Sequence, residues 1–417
     1  MIDCVVVGAG PAGLAASAAL TERGVDHVVL ERGRVGETWR TQRWDSFRLV
    51  SPGWKNTMLG EQPPDAYAPA AEVVERLEKL AARCPVRERV GVARLTPDID
   101  GFVLATDDGE VRAQTVVVAS GHENVPRVPP LARAFPDRIA QYHAADYRGP
   151  AGLPAGGVLV VGSAQAGCQI TEELTAAGRQ VVLATSAVGR VPTPYRGRDT
   201  VEWLYEAGFF HQRPADLPDP AMMRARQPIL APGRGLSLQA LALAGATLTG
   251  RLVAVDDQRV RFDDSAGANV AAGDAFATRV AAMVDEAIER TGRPAPAAEP
   301  DHVTGTPLDL DTTTLELAEL GAVVWCTGFR GDFSWLDPAL LDSDGQPRHT
   351  GCAAAVPGVW YVGLRWLTHR GSATLDGFPT DAATVADAVR AQLDGSGARL
   401  GRPSCSAHHF PFLSSVW

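Results

Sequence analysis

Short, unbroken β-branched runs alternate along this chain with alanine- and leucine-rich stretches. That is the pattern of parallel strands buried on both faces and joined by helices. Ile2 to Val7 is such a run and is predicted as a strand. Residues 11–23 read as a helix that stops at Gly24, and His27 to Leu30 as the next strand, ending at Glu31. These three elements make one βαβ unit. A second is predicted from a strand over 158–161, a helix over about 165–177 and a strand from Val181 to Leu183. Between them, Val73, Val74, Leu77 and Leu80 form one stripe of a helix over 70–83. Phe102 to Thr106 and Val111 to Val118 read as strands joined by the acidic turn Asp107-Asp108-Gly109.

Pro126 to Pro130 and Gly149 to Gly157 are proline- and glycine-rich, and the domain switch is expected between them. Residues 211–235 show little periodicity and read as a lid or an inserted loop. A helix is expected over 273–291 and a linker over Pro294 to Pro300. Ala322 to Cys326 and Val359 to Gly363 are expected to return the chain to the first domain, with a closing helix over 380–393. The fold class is therefore α/β with two Rossmann-like dinucleotide-binding domains. The first is discontinuous, over 1–150 and 320–417, and the second is inserted over 151–319.

With 45% apolar and 21% charged residues, the composition is that of an ordinary globular protein. A net charge of −10 gives no footprint for nucleic acid or anionic lipid. Lys55 and Lys79 are the only lysines, and the arginine excess, with much Ala, Gly and Pro, reads as coding bias. Cys4, Cys84, Cys168, Cys326, Cys352 and Cys405 form no C-x-x-C pair and no zinc spacing, so no metal site is expected and a thiol–disulfide reductase is disfavoured. Cys4 and Cys168 read as small apolar packers. Ile2 already belongs to a strand and no apolar stretch is long enough to span a bilayer, so a cytoplasmic protein is expected. A homodimer is left open.

The chemistry lies in two glycine-rich turns, each directly after a strand. The first is Gly8-Ala9-Gly10-Pro11-Ala12-Gly13. Gly8 serves the tight turn, Gly10 lets backbone approach a pyrophosphate, and Gly13 lets helix pack on strand. Glu31 is spaced to accept ribose hydroxyls. The second turn is Gly162-Ser163-Ala164-Gln165-Ala166-Gly167, with alanine where the middle glycine belongs. Ala164 is expected to cost close approach, with an unusual φ, on the order of 1–3 kcal/mol. Ser186, after Thr185, stands where a 2′-phosphate would sit, and Arg190, Arg196 and Arg198 follow. That basic cluster favours NADPH over NADH, the alternative being a solvated arginine face.

Gly36-Glu37-Thr38-Trp39-Arg40, with Arg43, resembles a stretch of the class B flavoprotein monooxygenases, which include the flavin-containing monooxygenases and the YUCCA group. Val117-Val118-Ala119-Ser120-Gly121 with Pro126 and Pro129 is similar to that family's first A-T-G crossing, and Val324-Trp325-Cys326-Thr327-Gly328-Phe329 to its second. Tyr361-Val362-Gly363-Leu364 resembles its flavin-facing strand end, and Arg89-Val90 its adenine contact. Of its linker motif only His143 and Tyr147 are kept; Asp137 and Ile139 replace the F-x-G half. Tyr147 favours the heteroatom-oxidising or YUCCA-like branch. The resemblance implies FAD held by the first turn with Arg32, Thr38, Trp39, Arg40, Val90, Ser120, Gly121, Gly363 and Leu364. It implies NADPH held by the second turn with Ser186, Arg190, Thr327 and Gly328.

By the same resemblance, NADPH reduces the flavin, O2 adds to give a C4a-(hydro)peroxyflavin, and a small organic substrate takes one oxygen atom at N, S or an activated carbon. Ser51, Asn56 and His143 are the catalytic candidates; loop capping and a hydrogen-bonded structural histidine are the alternatives. Substrate choice is assigned to loops 45–65, 205–235 and 365–378, and natural-product tailoring is the expected context. Ala164 and the missing F-x-G half also admit a flavoenzyme with impaired NADPH use, acting as an oxidase or a redox-neutral catalyst such as a cyclase. A non-catalytic flavoprotein is the third reading.

Overall fold

The computed structural model describes residues 1–225, 227–231 and 235–395. Cys405 and the C-terminal part of the unit expected over 320–417 lie outside the described residues. Ile2–Val7 sits at the centre of a nine-stranded sheet, parallel to His27–Glu31 on one side and Gly109–Val118 on the other. Val86–Glu88 and Val359–Tyr361 extend it in parallel, and Val92–Asp98 and Gly101–Thr106 fold back antiparallel. Helices Pro11–Glu22 and Phe378–Leu393 pack on each other against this sheet. Covered strands carry unbroken apolar runs, and Cys4 is part of one, its thiol pushed up to about 12 by burial.

The second sheet has five strands in the order Thr247–Thr249, Val181–Ala184, Gly157–Val161, Leu320–Trp325, Ala140–His143. The described pairs in it are parallel. Here the structure corrects the expected boundaries. Ala140–His143 was expected within the first unit, and the run from Ala322 was expected to return the chain there. Both stand in the second sheet, pairing Ala322 with Ala140 and Trp325 with His143. The chain instead crosses between the units through a two-stranded ribbon of Val125–Pro126 and Phe329–Arg330.

Several elements went unread, among them three short strands. Leu252–Val255, Arg259–Phe262 and Thr314–Glu316 form a small antiparallel sheet. The helix expected over 273–291 begins earlier, spanning Ala266–Thr291. Its first two turns are alanine- and glycine-rich and show little amphipathic contrast. Residues 209–224 wind through three 3₁₀ turns, and residues 227–231 then run extended against 189–191.

Candidate active site

In the first turn, a Cβ on Gly8 (φ +109) would stand 2.6 Å from Ala119 O, and one on Gly13 would stand 1.8 Å from Gly8 O. Strand and helix touch through these two residues. Gly10 is different: its φ is −79, and a Cβ there would meet no protein atom within 4 Å. Its open side belongs to a cavity of about 910 Å³. Glu31 Oε2 accepts from Ala9 N at 2.7 Å and Oε1 from Gly33 N at 2.8 Å. The carboxylate thus fixes the turn while lining the cavity.

Of the residues assigned to the first nucleotide, Gly8, Gly10, Pro11, Ala12, Glu31, Arg32, Thr38, Trp39, Val90, Ser120, Gly121 and Gly363 line that cavity. Gly13 lies behind them in the helix–strand contact, and Leu364 is buried in the core. Arg40 is a correction. It donates to Val35 O at 3.0 Å and pairs with Glu78, off the cavity. Arg43 faces inward instead, its guanidinium 4.9 Å from the Trp39 ring centroid and 5.3 Å from that of Phe47. Burial pulls it below the ordinary arginine value.

Ser51 and Asn56 both line the cavity and hold each other. Ser51 Oγ donates to Asn56 Oδ1 at 2.8 Å, and Asn56 Nδ2 donates to Ser51 O at 2.9 Å. Next to them Lys55 Nζ lies 3.0 Å from Asp376 Oδ2, a pair the motif search missed. The signal was present: in a chain that uses arginine almost throughout, Lys79 is exposed but Lys55 stands inside a loop read as substrate-facing.

His143 is a second correction. Its Nδ1 accepts from Ala145 N at 3.1 Å, which leaves Nε2 to donate to Gly328 O at 3.0 Å. The ring meets Phe329 edge-on at 4.8 Å. Burial lowers its pKa, so it is held neutral. It lies off the cavity and pins the Thr327–Gly328 crossing to the end of its own strand. Tyr147, buried beside it in sequence, donates to Glu173 Oε2 at 2.7 Å.

The second turn repeats the first. A Cβ on Gly162 (φ +104) would stand 2.5 Å from Cys326 O, and one on Gly167 would stand 1.7 Å from Gly162 O. Ala164 has φ −78 and ψ −170, beside −79 and −177 at Gly10. The expected unusual φ is therefore absent; this is extended backbone open to any residue. Ala164 and Ala166 pack at the edge of the second core. Ser163 Oγ accepts from Ser186 N at 2.9 Å and donates to Ser186 O at 3.1 Å, tying the turn to the next strand end. Gln165 is clasped to Leu230 and reaches the large cavity.

The expected basic cluster is neutralised. Arg190 is 4% exposed and pairs with Asp274 at 2.7 Å and Asp301 at 2.5 Å. Arg196 lies 2.6 Å from Asp285, and Arg198 lies 2.7 Å from Glu202 and 2.9 Å from Glu206. The arginine face is an ion-paired surface with one buried member.

Residues 5–195 match the model of the pyridine nucleotide-disulphide oxidoreductase family. An uncharacterised CzcO-like oxidoreductase of Geobacillus kaustophilus is 26% identical over 390 residues, 92% of this chain and 96% of that protein. Rice indole-3-pyruvate monooxygenase YUCCA1 is 32% identical over 180 residues, 41% of this chain and 44% of that one. A flavin-containing monooxygenase structure from Stenotrophomonas maltophilia superposes with a TM-score of 0.61 at 22% identity, covering 94% of this chain and 99% of that one.

The chain is similar to flavin monooxygenases and to pyridine nucleotide-disulphide oxidoreductases.

The similar proteins imply a flavin and a nicotinamide nucleotide, and the geometry of the first turn suits a nucleotide. Gly10 offers a cradle that a Cβ would fill, at the N-terminus of helix Pro11–Glu22. Ser120 Oγ is buried at the cavity wall and has no hydrogen-bond partner in the protein, as a hydroxyl awaiting a ligand acceptor would be. Cys4, Cys84, Cys168, Cys326 and Cys352 are free, and burial raises the thiols of Cys4, Cys168, Cys326 and Cys352. Among the described residues no helix is long and apolar enough to cross a membrane.

Proposed function

We propose that this chain is an FAD-dependent monooxygenase, reduced by NADPH, that inserts one oxygen atom from O2 into a small organic substrate at N, S or an activated carbon. A cytoplasmic enzyme of natural-product tailoring is the context we assign to it. The observation that carries the reading is that one continuous cavity is lined by both units. It runs from the Gly10 cradle, past the Ser51–Asn56 pair, to apolar surface contributed by Val201, Phe210 and Leu230 of the second unit. Bound FAD would supply the redox and oxygen chemistry. The chain's own contribution is positioning and dryness. Gly8 to Gly13 and Glu31 would hold the nucleotide half, and Ser120 and Gly363 would face the ring end. The Ser51–Asn56 pair presents a fixed polar edge beside Lys55 and Asp376, and the apolar residues of the second unit would help to keep water from that end.

A second reading, a flavoenzyme with impaired nicotinamide use, is favoured by the second site. Leu230 lies across the turn at Gln165, and Arg190, Arg196 and Arg198 are already paired. One experiment separates the two. Purified yellow protein is mixed anaerobically with NADPH, or with NADH, and flavin absorbance is followed; oxygen is then admitted. The monooxygenase reading expects bleaching and nucleotide-dependent oxygen uptake. A flavin that neither nucleotide reduces, with test amines and sulfides present, retires it in favour of the second.

A further inference from the structure

The geometry points to Lys55 and Asp376 as the substrate end of the cavity, and to a small aromatic compound carrying an anionic group, a carboxylate above all, as its occupant. The inference rests on the monooxygenase reading only in naming that occupant a substrate.

Lys55 is 5% exposed, yet it lines the cavity beside Ser51 and Asn56. Its ammonium lies 3.0 Å from Asp376 Oδ2, 4.0 Å from the Phe210 ring centroid and 4.7 Å from that of Tyr205. Trp54 meets Tyr205 edge-on at 5.2 Å. This corner lies where the two units meet, Lys55 and Asp376 coming from the first and Tyr205 and Phe210 from the second.

An ammonium carries three donors, and Asp376 accepts one. The ring faces attract the cation but offer no lone pair. One carboxylate does not offset the cost of burying this charge: desolvation outweighs Asp376 and pulls Lys55 below the usual lysine value. A second anion at Lys55 would therefore be favourable, and it would break no existing bond. A cationic group gains less, because it must take Asp376 from Lys55 and leave the lysine facing only rings. Phe210, which lines the cavity, suits a planar apolar body attached to the anion. Nothing in this argument involves the second fingerprint, so the site can be tested without a nicotinamide nucleotide.

The test is calorimetric titration of the flavin-loaded protein with phenylacetate and with its neutral isostere phenylacetamide, repeated for Lys55→Met, Lys55→Arg and Asp376→Asn. The acid is expected to bind at least about tenfold tighter than the amide. Lys55→Met should abolish that preference with the flavin retained, Lys55→Arg should keep it, and Asp376→Asn should strengthen acid binding severalfold by removing a competing carboxylate. Equal affinities, no detectable acid binding, or a preference that survives Lys55→Met overturns the inference. So does loss of flavin in Lys55→Met, which would make the lysine a cofactor contact. Should Lys55→Met fail to fold, Asp376→Asn decides alone: weaker or unchanged acid binding overturns the site. A protein that prefers the acid but never consumes nucleotide and oxygen sinks the monooxygenase reading and leaves this one standing. Turnover without the preference does the reverse.

Discussion

Gln165 and Leu230 are joined through both ends of one carboxamide: Oε1 accepts from Leu230 N at 2.8 Å and Nε2 donates to Leu230 O at 2.6 Å. Ile229 is buried and adds two backbone bonds, to Gly189 O at 2.7 Å and from Val191 N at 3.4 Å. Residues 227–231 are thus strapped onto the first residue of the helix where a second pyrophosphate would be expected. Gln165→Ala removes two hydrogen bonds worth about 1 kcal/mol each and should loosen the strap. Anaerobic stopped-flow reduction is expected to show nicotinamide nucleotide binding about tenfold tighter than in the parent. Weaker binding would mean that Gln165 serves the nucleotide rather than the strap.

Ala164→Gly tests the methyl by itself. Because φ and ψ at 164 are ordinary, glycine relieves no strain, and the variant should be about 0.5–1 kcal/mol less stable through backbone entropy. Nucleotide affinity should nonetheless rise by one to two decades, the equivalent of roughly 1–3 kcal/mol of removed overpacking against the ligand. Thermal unfolding and reduction kinetics on the same preparations give both signs. An unchanged affinity would show that the methyl meets no ligand.

Arg190→Ala should act on stability more than on cofactor choice. It leaves Asp274 and Asp301 beside an emptied site, a change on the order of 3–5 kcal/mol for a buried pair. The ratio of kcat/KM for NADPH over NADH should stay within about twofold, well under 1 kcal/mol of discrimination. A collapse of that ratio with little loss of Tm would restore Arg190 as a phosphate ligand.

Asp381 gives a pH signature. It is fully buried; Thr368 donates to one carboxyl oxygen, and the other has no partner. Burial raises its pKa from 3.8 to about 6. The folded state therefore holds this proton more tightly than the unfolded chain. Its contribution is most favourable below the unfolded value and is lost as pH rises from 3.8 to about 6, a fall of ~3 kcal/mol by linkage. Asp381→Asn should flatten the Tm profile between pH 4 and 7. A variant whose profile runs parallel to the parent's would refute the assignment.

The local features were legible in the sequence. Both glycine turns, the strands that feed them and Glu31 sit within short windows, where an apolar run and a φ-permissive residue decide the structure. Partners contributed from far along the chain were not. Ala140–His143 joins the second sheet because Leu320–Trp325 pairs with it. Arg190 reads as a phosphate ligand until Asp301, 111 residues on, is placed against it. Lys55 acquires meaning only from Asp376, 321 residues away. A charge is visible in a sequence, but whether folding has already neutralised it is not.

The outer glycines of both turns answer to the architecture alone. Side chains at 13 and 167 would run into the carbonyls of Gly8 and Gly162 whether or not anything is bound. Their presence therefore reports packing and says nothing of whether a nucleotide is bound. At Gly10 a methyl would meet no protein atom within 4 Å, so only a ligand can police the middle position. Of the three glycine positions, it is the one at which the two turns differ.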